Sequence, residues 1–326
     1  MVKVSVILPV YNVAPYLDET FTSLLSQTLQ EIEIIAVNDG SNDNSEEIIQ
    51  KYAQQDRRIN YFTQHNQGQS AARNLALQYA KGEYIYMMDS DDVLADPDAL
   101  RLCYEYAERN NADLIFFDGD TLQEEGTLHL TWDYKRTEDL QEDKAYQGEK
   151  LLNEMLDKWK HNCVVWLLFI KHRYLKQIGL DFYPGIIHED ELFTTILTLC
   201  SKNIYGLKQS LIKHRVRSTS IMGLRYTRRN LDCYLTVIDE LFKFQNSPII
   251  MKFARYTLSK VFYTGHTIPF KDKFPIFWRA VKSGYLRFIG LKSSLVFWLK
   301  KHKKKRIFGT IQKYSYFCSH KSERNE

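Results

Sequence analysis

The first 118 residues predict an α/β fold, a parallel sheet with helices wound on both faces, and the rest predicts a mixed segment followed by a mostly helical C-terminal region. Three observations lead there. Short apolar runs alternate with stretches of helical periodicity, as in successive βα units. Several of the runs stop abruptly at clusters of Asn, Asp, Gly and Ser, the residues of turns beyond a strand's carboxyl end. Beyond residue 225 the pattern is mostly helical, with aromatic and basic residues interleaved.

Residues 2–10 form the first strand. After Pro15, which suits a helix's first turn, Leu17, Phe21, Leu24 and Leu25 share one helical face. Residues 32–37 are a second apolar run ending in Asn38-Asp39-Gly40-Ser41, and Asp43 with Glu46 resembles a capping box for a helix through Tyr52. A strand at 59–62, a helix at 70–80 and a strand at 84–88 continue the alternation, the last running into Asp89-Ser90-Asp91-Asp92. Asp96-Pro97 opens another helix, and residues 114–117 complete a sheet of about five strands. Periodicity is lost from 118 to 148, which reads as loop or hairpin. A helix at 149–160, an apolar stretch at 164–170 and a helix from His188-Glu189-Asp190-Glu191 through Leu199 follow.

A chain of 326 residues can bury a sizeable core, and its 44% hydrophobic and 26% charged composition argues against disorder. The cysteines at 103, 163, 200, 233 and 318 are scattered without metal-binding spacing, which fits reduced thiols in the cytoplasm. The N-terminus runs straight into a strand-like stretch with no secretion signal, and no run of about 18 uncharged apolar residues predicts a membrane-spanning helix. The net charge of +4 is unevenly spread: from Lys271 onward fifteen Lys and Arg face three acidic residues. Such a tail suits anionic lipid or nucleic acid.

In open α/β sheets ligands lie beyond the carboxyl ends of the strands. Three such ends, Pro9-Val10-Tyr11-Asn12, Asn38-Asp39-Gly40-Ser41 and Asp89-Ser90-Asp91-Asp92, carry groups suited to a nucleotide. Tyr11 offers a ring face to a base, and Asp39 offers a carboxylate to the imide N–H of uracil; a turn-organising aspartate is the plainer reading. The Asp89–Asp92 cluster concentrates negative charge that nothing nearby in sequence compensates, so it suits Mg²⁺ or Mn²⁺ holding a diphosphate, a solvated acidic turn being the alternative. No GxGxxG follows the first strand and no GxxxxGK[ST] occurs, which removes the main support for dinucleotide and P-loop readings. Arg73, in the segment from Asn66 to Asn74, is placed to neutralise phosphate, or is an ordinary surface arginine. Glu189-Asp190, flanked by apolar residues, is the candidate general base, although acids also collect at helix N-termini for electrostatic reasons. His214-Arg215-Val216-Arg217, read as loop-like, offers donors for a leaving diphosphate, or is a solvated basic strand.

Together these residues resemble glycosyltransferase family 2, the inverting group with the GT-A fold, closely over residues 2–118 and more loosely from 160 to 222. The matching segments are residues 4–12, 37–45, Gly68 through Asn74, 80–85, Met88-Asp89-Ser90-Asp91-Asp92 at the place of the DxD metal motif, His188-Glu189-Asp190-Glu191 and the basic motif at 214–218. The resemblance implies a GT-A domain over 1–222, divided into a nucleotide-sugar half at 1–118 and an acceptor and base half at 119–222. It implies Pro9, Tyr11, Asn12, Asp39, Gly68, Arg73, Asp91, His214 and Arg217 around the nucleotide sugar. Asp89, Asp91 and Asp92 become the residues for Mn²⁺ or Mg²⁺, and Asp190, with Glu189 as substitute, the base. The activity implied is inverting transfer from a nucleotide diphosphate sugar, UDP-linked by preference, to a glycan or lipid-linked glycan in bacterial surface-polysaccharide synthesis. Where many relatives carry Trp-Asn-Lys-Leu, this chain has Trp166-Leu167-Leu168-Phe169.

The resemblance ends near residue 225. The region 223–326 has the composition of an interfacial helix on anionic lipid, which places the protein peripherally at the inner face of the cell membrane; a helical subdomain with a solvated charge run is the plainer alternative. No nucleic-acid motif accompanies the charge. Two rival functions remain open at this level, a non-catalytic nucleotide-sugar-binding subunit and a sugar nucleotidyltransferase.

Overall fold

The computed structural model describes residues 1–122, 134–216 and 226–300. They fall into two compact units. The first comprises the described parts of Met1–Lys150, Asn162–Gly185 and Phe193–Arg217. The second comprises Leu151–His161, Ile186–Leu192 and the described part of Ser218–Glu326.

The first unit opens with three parallel strands, β1 (Val4–Val10), β2 (Ile32–Asn38) and β3 (Ile59–Thr63). β1 and β2 are buried at every position, which is why they read as unbroken apolar runs. The exception inside β2, Glu33, is satisfied by the Ser5 hydroxyl at 2.6 Å and the Lys81 backbone N–H at 2.7 Å. Helices α1 (Ala14–Leu25), α2 (Ser45–Gln55) and α3 (Gln69–Tyr79) connect these strands and lead to β4 (Tyr84–Met87), which pairs parallel with β1. α1 buries Leu17, Thr20, Phe21 and Leu24, one face of an amphipathic helix. Asp43 and Glu46 do not form the expected capping box. Asn44 is the N-cap of α2 without a side-chain cap; Asp43 accepts from the backbone of Ala14 and Ser45, and Glu46 from Asn38 and Tyr61.

Beyond β4 the sheet exceeds expectation. Among the described residues it has eight strands in the order β3-β2-β1-β4-β7-β6-β8-β5. The added members are β5 (Val93–Leu94), β7 (Leu168–Lys171) and β8 (Ile204–Arg215), around β6 (Leu114–Leu122). β7 runs antiparallel between β4 and β6, whereas β8 is parallel to β6. His214 and Arg215, read from the sequence as loop-like, are the last two residues of this twelve-residue β8. Between β5 and β6 lies α4 (Ala99–Arg109), starting after Asp98 rather than at Asp96-Pro97. α5 (Gly148–Asp157), α6 (His172–Ile178) and α7 (Glu189–Cys200) complete the helices before β8.

Gly82 marks the tightest approach near the start of β4. A Cβ built there lies 2.5 Å from the Ser5 backbone nitrogen. Gly82→Ala is expected to cost about 1–3 kcal/mol, because the obstructing atom is backbone and cannot rotate away. A urea midpoint equal to the parent's would show that the β1–β4 edge yields freely.

The second unit's C-terminal part contains α8 (Arg228–Phe244), α9 (Pro248–Thr264), α10 (Phe270–Lys282) and α11 (Leu291–Leu299), in agreement with the helical reading of that region. Leu231, Leu235, Ile238, Phe253, Leu258, Ile276 and Phe297 are among its buried apolar residues. Arg279 pins α10 to α8 through the Asp232 carbonyl at 2.8 Å and the Asp239 carboxylate at 2.8 Å. Among the described residues no helix is long and apolar enough to cross a membrane.

Candidate active site

In the first unit the carboxyl ends of β1, β2 and β4 meet as the sequence predicts. The Asp39 N–H donates to the Val10 carbonyl at 2.8 Å, and the Asn12 N–H to the Ser41 hydroxyl at 3.0 Å. Asn12 takes a positive φ of 52°, tolerable for asparagine, and its side-chain oxygen receives the Asn42 N–H at 2.8 Å. Pro9 is buried at the end of β1, and Tyr11 is 46% exposed beyond it. The buried Asp39 carboxylate accepts from the backbone N–H groups of Gln67 and Gly68, each at 2.8 Å, and from the Gln64 amide at 2.7 Å. Asp39 therefore organises the turn that begins α3. Gly68, with φ of 90°, is the N-cap residue of that helix.

From α3, Arg73 and Gln69 reach Asp89 Oδ1, at 3.1 and 2.9 Å. Arg73 is not a surface arginine. It is 1% exposed, with its guanidinium over the Phe182 ring at 5.0 Å. Phe182 is fixed in turn, stacked on Phe193 at 3.9 Å and clamped by Asn74, which exchanges two 2.8 Å hydrogen bonds with its backbone. The aspartate turn is held from α1 by Thr20, whose hydroxyl donates to the carbonyls of Ser90 and Asp92.

The main departure from expectation lies on the other side of the turn. Immediately after it, the two residues of β5 pair with β8, Val93 opposite Lys213 and Leu94 opposite Ile212. This pairing brings His214 and Arg215 to the aspartates. His214 Nδ1 lies 2.8 Å from Asp92 Oδ2, and the Arg215 N–H donates to Asp92 Oδ1 at 2.9 Å. The Arg215 side chain bonds the Asp91 carbonyl and Glu19, and lies over the Tyr16 ring. His214 is stacked on Trp166 at 4.6 Å and meets the edge of Tyr134 at 5.4 Å. The aspartates are thus partly compensated by Arg73, His214 and Arg215, contrary to the reading of the isolated sequence. Burial pushes the fully buried Asp92 carboxyl up. Burial opposes the charge on His214 as well, but the carboxylates of Asp92, Asp89 and Asp91 override it and raise the imidazole above its ordinary value.

Asp89, Asp92 and His214 each present one ligand atom, all within 4.8 Å of one another. That group includes His214, expected at the nucleotide, and leaves out Asp91, expected at the metal. Gln69, Thr20 and Trp166 were not anticipated as supports of the site; in sequence they sit in helical or apolar stretches with nothing that assigns them this role. Arg217 lies outside the described residues.

Glu189 and Asp190 stand in the first turn of α7 and belong to the second unit. The preceding His188 has a φ of 68° and stacks on Tyr234 of α8 at 4.2 Å; its Nε2 lies 3.1 Å from the Asn230 amide. Glu191, the third acid, is buried 3.3 Å from His161 Nε2, and this partner helps hold its carboxyl well below the ordinary range, to about 2, against the opposing effect of burial. Burial lowers His188 to about 4. Between about pH 6.5 and pH 4 the unfolded chain therefore binds a proton at this histidine that the folded chain refuses. Stability should fall as pH drops through that window, and His188→Asn should flatten the fall. An unchanged slope of melting temperature against pH in the variant would show that His188 does not carry it.

The sequence matches the family described as Glycosyl transferase family 2 over residues 5–179. It is 32% identical over 231 residues to glycosyltransferase GlyG of Streptococcus pneumoniae, covering 68% of this chain and 74% of that protein. It is 32% identical over 236 residues to the minor teichoic acid biosynthesis protein GgaB of Bacillus subtilis, covering 69% of this chain and only 24% of that longer protein. Among solved structures, residues 1–349 of S. aureus TarS in complex with UDP-GlcNAc superpose with a TM-score of 0.67 at 18% identity, over 90% of this chain and 83% of that one. The mannosyltransferase PcManGT of Pyrobaculum calidifontis, in complex with GDP-Man and Mn²⁺, superposes with a TM-score of 0.56 at 15% identity, over 88% and 77%.

Proposed function

The chain belongs to glycosyl transferase family 2, and from that premise we propose that it transfers a hexosyl or N-acetylhexosaminyl group, with inversion, from a UDP-sugar to a glycan or lipid-linked glycan of the bacterial surface. The observation that carries the reading is the convergence of Asp89, Asp92 and His214 within 4.8 Å at the strand ends. The UDP-GlcNAc bound to TarS and the teichoic acid pathway of GgaB support the donor and acceptor classes.

Two carboxylates and an imidazole fit a divalent cation, and the nitrogen ligand favours Mn²⁺ over Mg²⁺, which prefers oxygen. Asp89, Asp92 and His214 would hold it. A cation held there would supply Lewis acidity toward the donor's diphosphate. His214 would hold it as the neutral imidazole, so a proton carried by the ligating nitrogen of the charged form would be released on loading. The protein's own groups do the rest. Tyr11 gives a ring face to the base. Asp39, already receiving three donors, has one of its roughly four acceptor positions for the uracil imide. Arg73, fixed by Asp89 and Phe182, holds positive charge toward the phosphates without reorganising. Asp190, with Glu189 in reserve, takes the proton of the attacking hydroxyl.

The test is UDP release from a panel of UDP-sugars by the purified chain with Mn²⁺, with and without EDTA and a glycan acceptor. Release from one donor that EDTA stops is the expected result. Pyrophosphate release in place of UDP would replace the reading with nucleotidyl transfer.

A further inference from the structure

The second unit sorts the apolar residues of the C-terminal region into two sets. Ile276, Phe288, Ile289 and Phe297 are buried in the unit, as in any helical subdomain. A second set faces outward. On α10, Phe270, Phe274 and Trp278 are 62%, 46% and 58% exposed, and on α11, Leu291, Leu295 and Leu299 are 77%, 50% and 72% exposed. Both sets step by four residues, so each helix presents one continuous apolar stripe. Trp298 of α11 packs its ring against Phe270, Phe274 and Phe277 of α10 at 5.9, 5.2 and 5.5 Å, which sets the two stripes beside each other. An apolar surface of this extent is uncommon on a protein that meets only water.

The charge around it narrows the occupant. Lys271, Lys282, Arg287, Lys292 and Lys300 are exposed on the same two helices and their connection, and Asp272 is the only carboxylate between residues 270 and 300. A second copy docked on this face about a twofold axis would bring these cations against their own images. A surface that takes apolar side chains and supplies negative charge at the same level satisfies both features, and that is an anionic lipid headgroup layer.

We propose that the α10–α11 face is a membrane-docking surface, which inserts Phe270, Phe274, Trp278, Leu291, Leu295 and Leu299 between anionic phospholipid headgroups while the surrounding lysines and arginine meet the phosphates. The proposal does not depend on the glycosyl-transfer reading, since its test measures no turnover.

The full chain is floated with phosphatidylcholine vesicles that contain or lack phosphatidylglycerol. Binding is expected only with phosphatidylglycerol, accompanied by a blue shift of tryptophan emission from burial of Trp278. The combined variant Trp278→Ser, Leu295→Ser, Leu299→Ser should bind at least about tenfold more weakly, and so should Lys282→Glu, Arg287→Glu, Lys292→Glu. All these side chains are exposed, and circular dichroism melts confirm that the variants fold. Failure of the parent to float with anionic vesicles overturns the proposal. Full binding by the serine variant overturns it too, since the attraction would then lie outside this face. So would a dimer seen by sedimentation in the parent and lost in the serine variant, because the occupant would then be a second copy.

Discussion

Asp92→Asn is expected to lower turnover by about 10²–10³-fold and to abolish the response to Mn²⁺, while the protein keeps its fold. The substitution is close to isosteric at a position with no exposure. The amide oxygen can still accept from the Arg215 N–H, and the amide nitrogen can donate to His214 Nδ1 once that imidazole is neutral. What disappears is the negative charge. With it go a ligand of the candidate cation and the partner that favours the charged form of His214. UDP release, Mn²⁺ titration calorimetry and a thermal melt together check the prediction. A variant that melts like the parent and still turns over at the parental rate would remove the Asp89–Asp92–His214 group from catalysis.

Asp190→Asn has the other large effect expected, a loss of about 10²–10⁴-fold in kcat with UDP-sugar affinity nearly unchanged. A general base contributes only once the attacking hydroxyl is in place, so donor binding should not notice its removal. Glu189→Gln, measured beside it, separates the two candidates: the larger loss marks the base. Glu191 is set apart by its buried contact with His161, so Glu191→Gln should act first on the melting temperature. If Asp190→Asn weakens donor binding as much as turnover, Asp190 is a binding or structural residue and the base lies elsewhere.

The parallel part of the sheet was legible because β1, β2 and β4 are buried on both faces and so appear as short unbroken apolar runs. β8 was not. Its burial alternates irregularly along a sequence containing Lys208, Gln209, Lys213, His214 and Arg215, and its pairing with β6 shifts register at Phe117 and Asp118. β5 has only two residues, too few for any periodicity. The site divides along the same line. The local clusters at Asp39 and Asp89–Asp92 announced themselves, whereas the approach of His214 depends on the β5–β8 pairing, which no local pattern encodes. Trp166 shows the same limit. In sequence it stood out only as part of a departure from the Trp-Asn-Lys-Leu pattern, yet its ring is the platform on which His214 rests.

The β5–β8 splice also sets when the site can exist. Asp92 is separated from His214 and Arg215 by 122 and 123 positions, so closing this contact carries the loop-closure cost of a long intervening chain. During synthesis from the N-terminus, β1 to β4 emerge and can pair among themselves long before β8 leaves the ribosome. Until then the aspartates have Arg73 but lack the histidine. A nascent or truncated chain ending ahead of residue 214 would carry the ends of β1, β2 and β4 and still lack one of the three groups of the candidate cation site, so the Mn²⁺ binding proposed above should arise late, as one of the last events of folding.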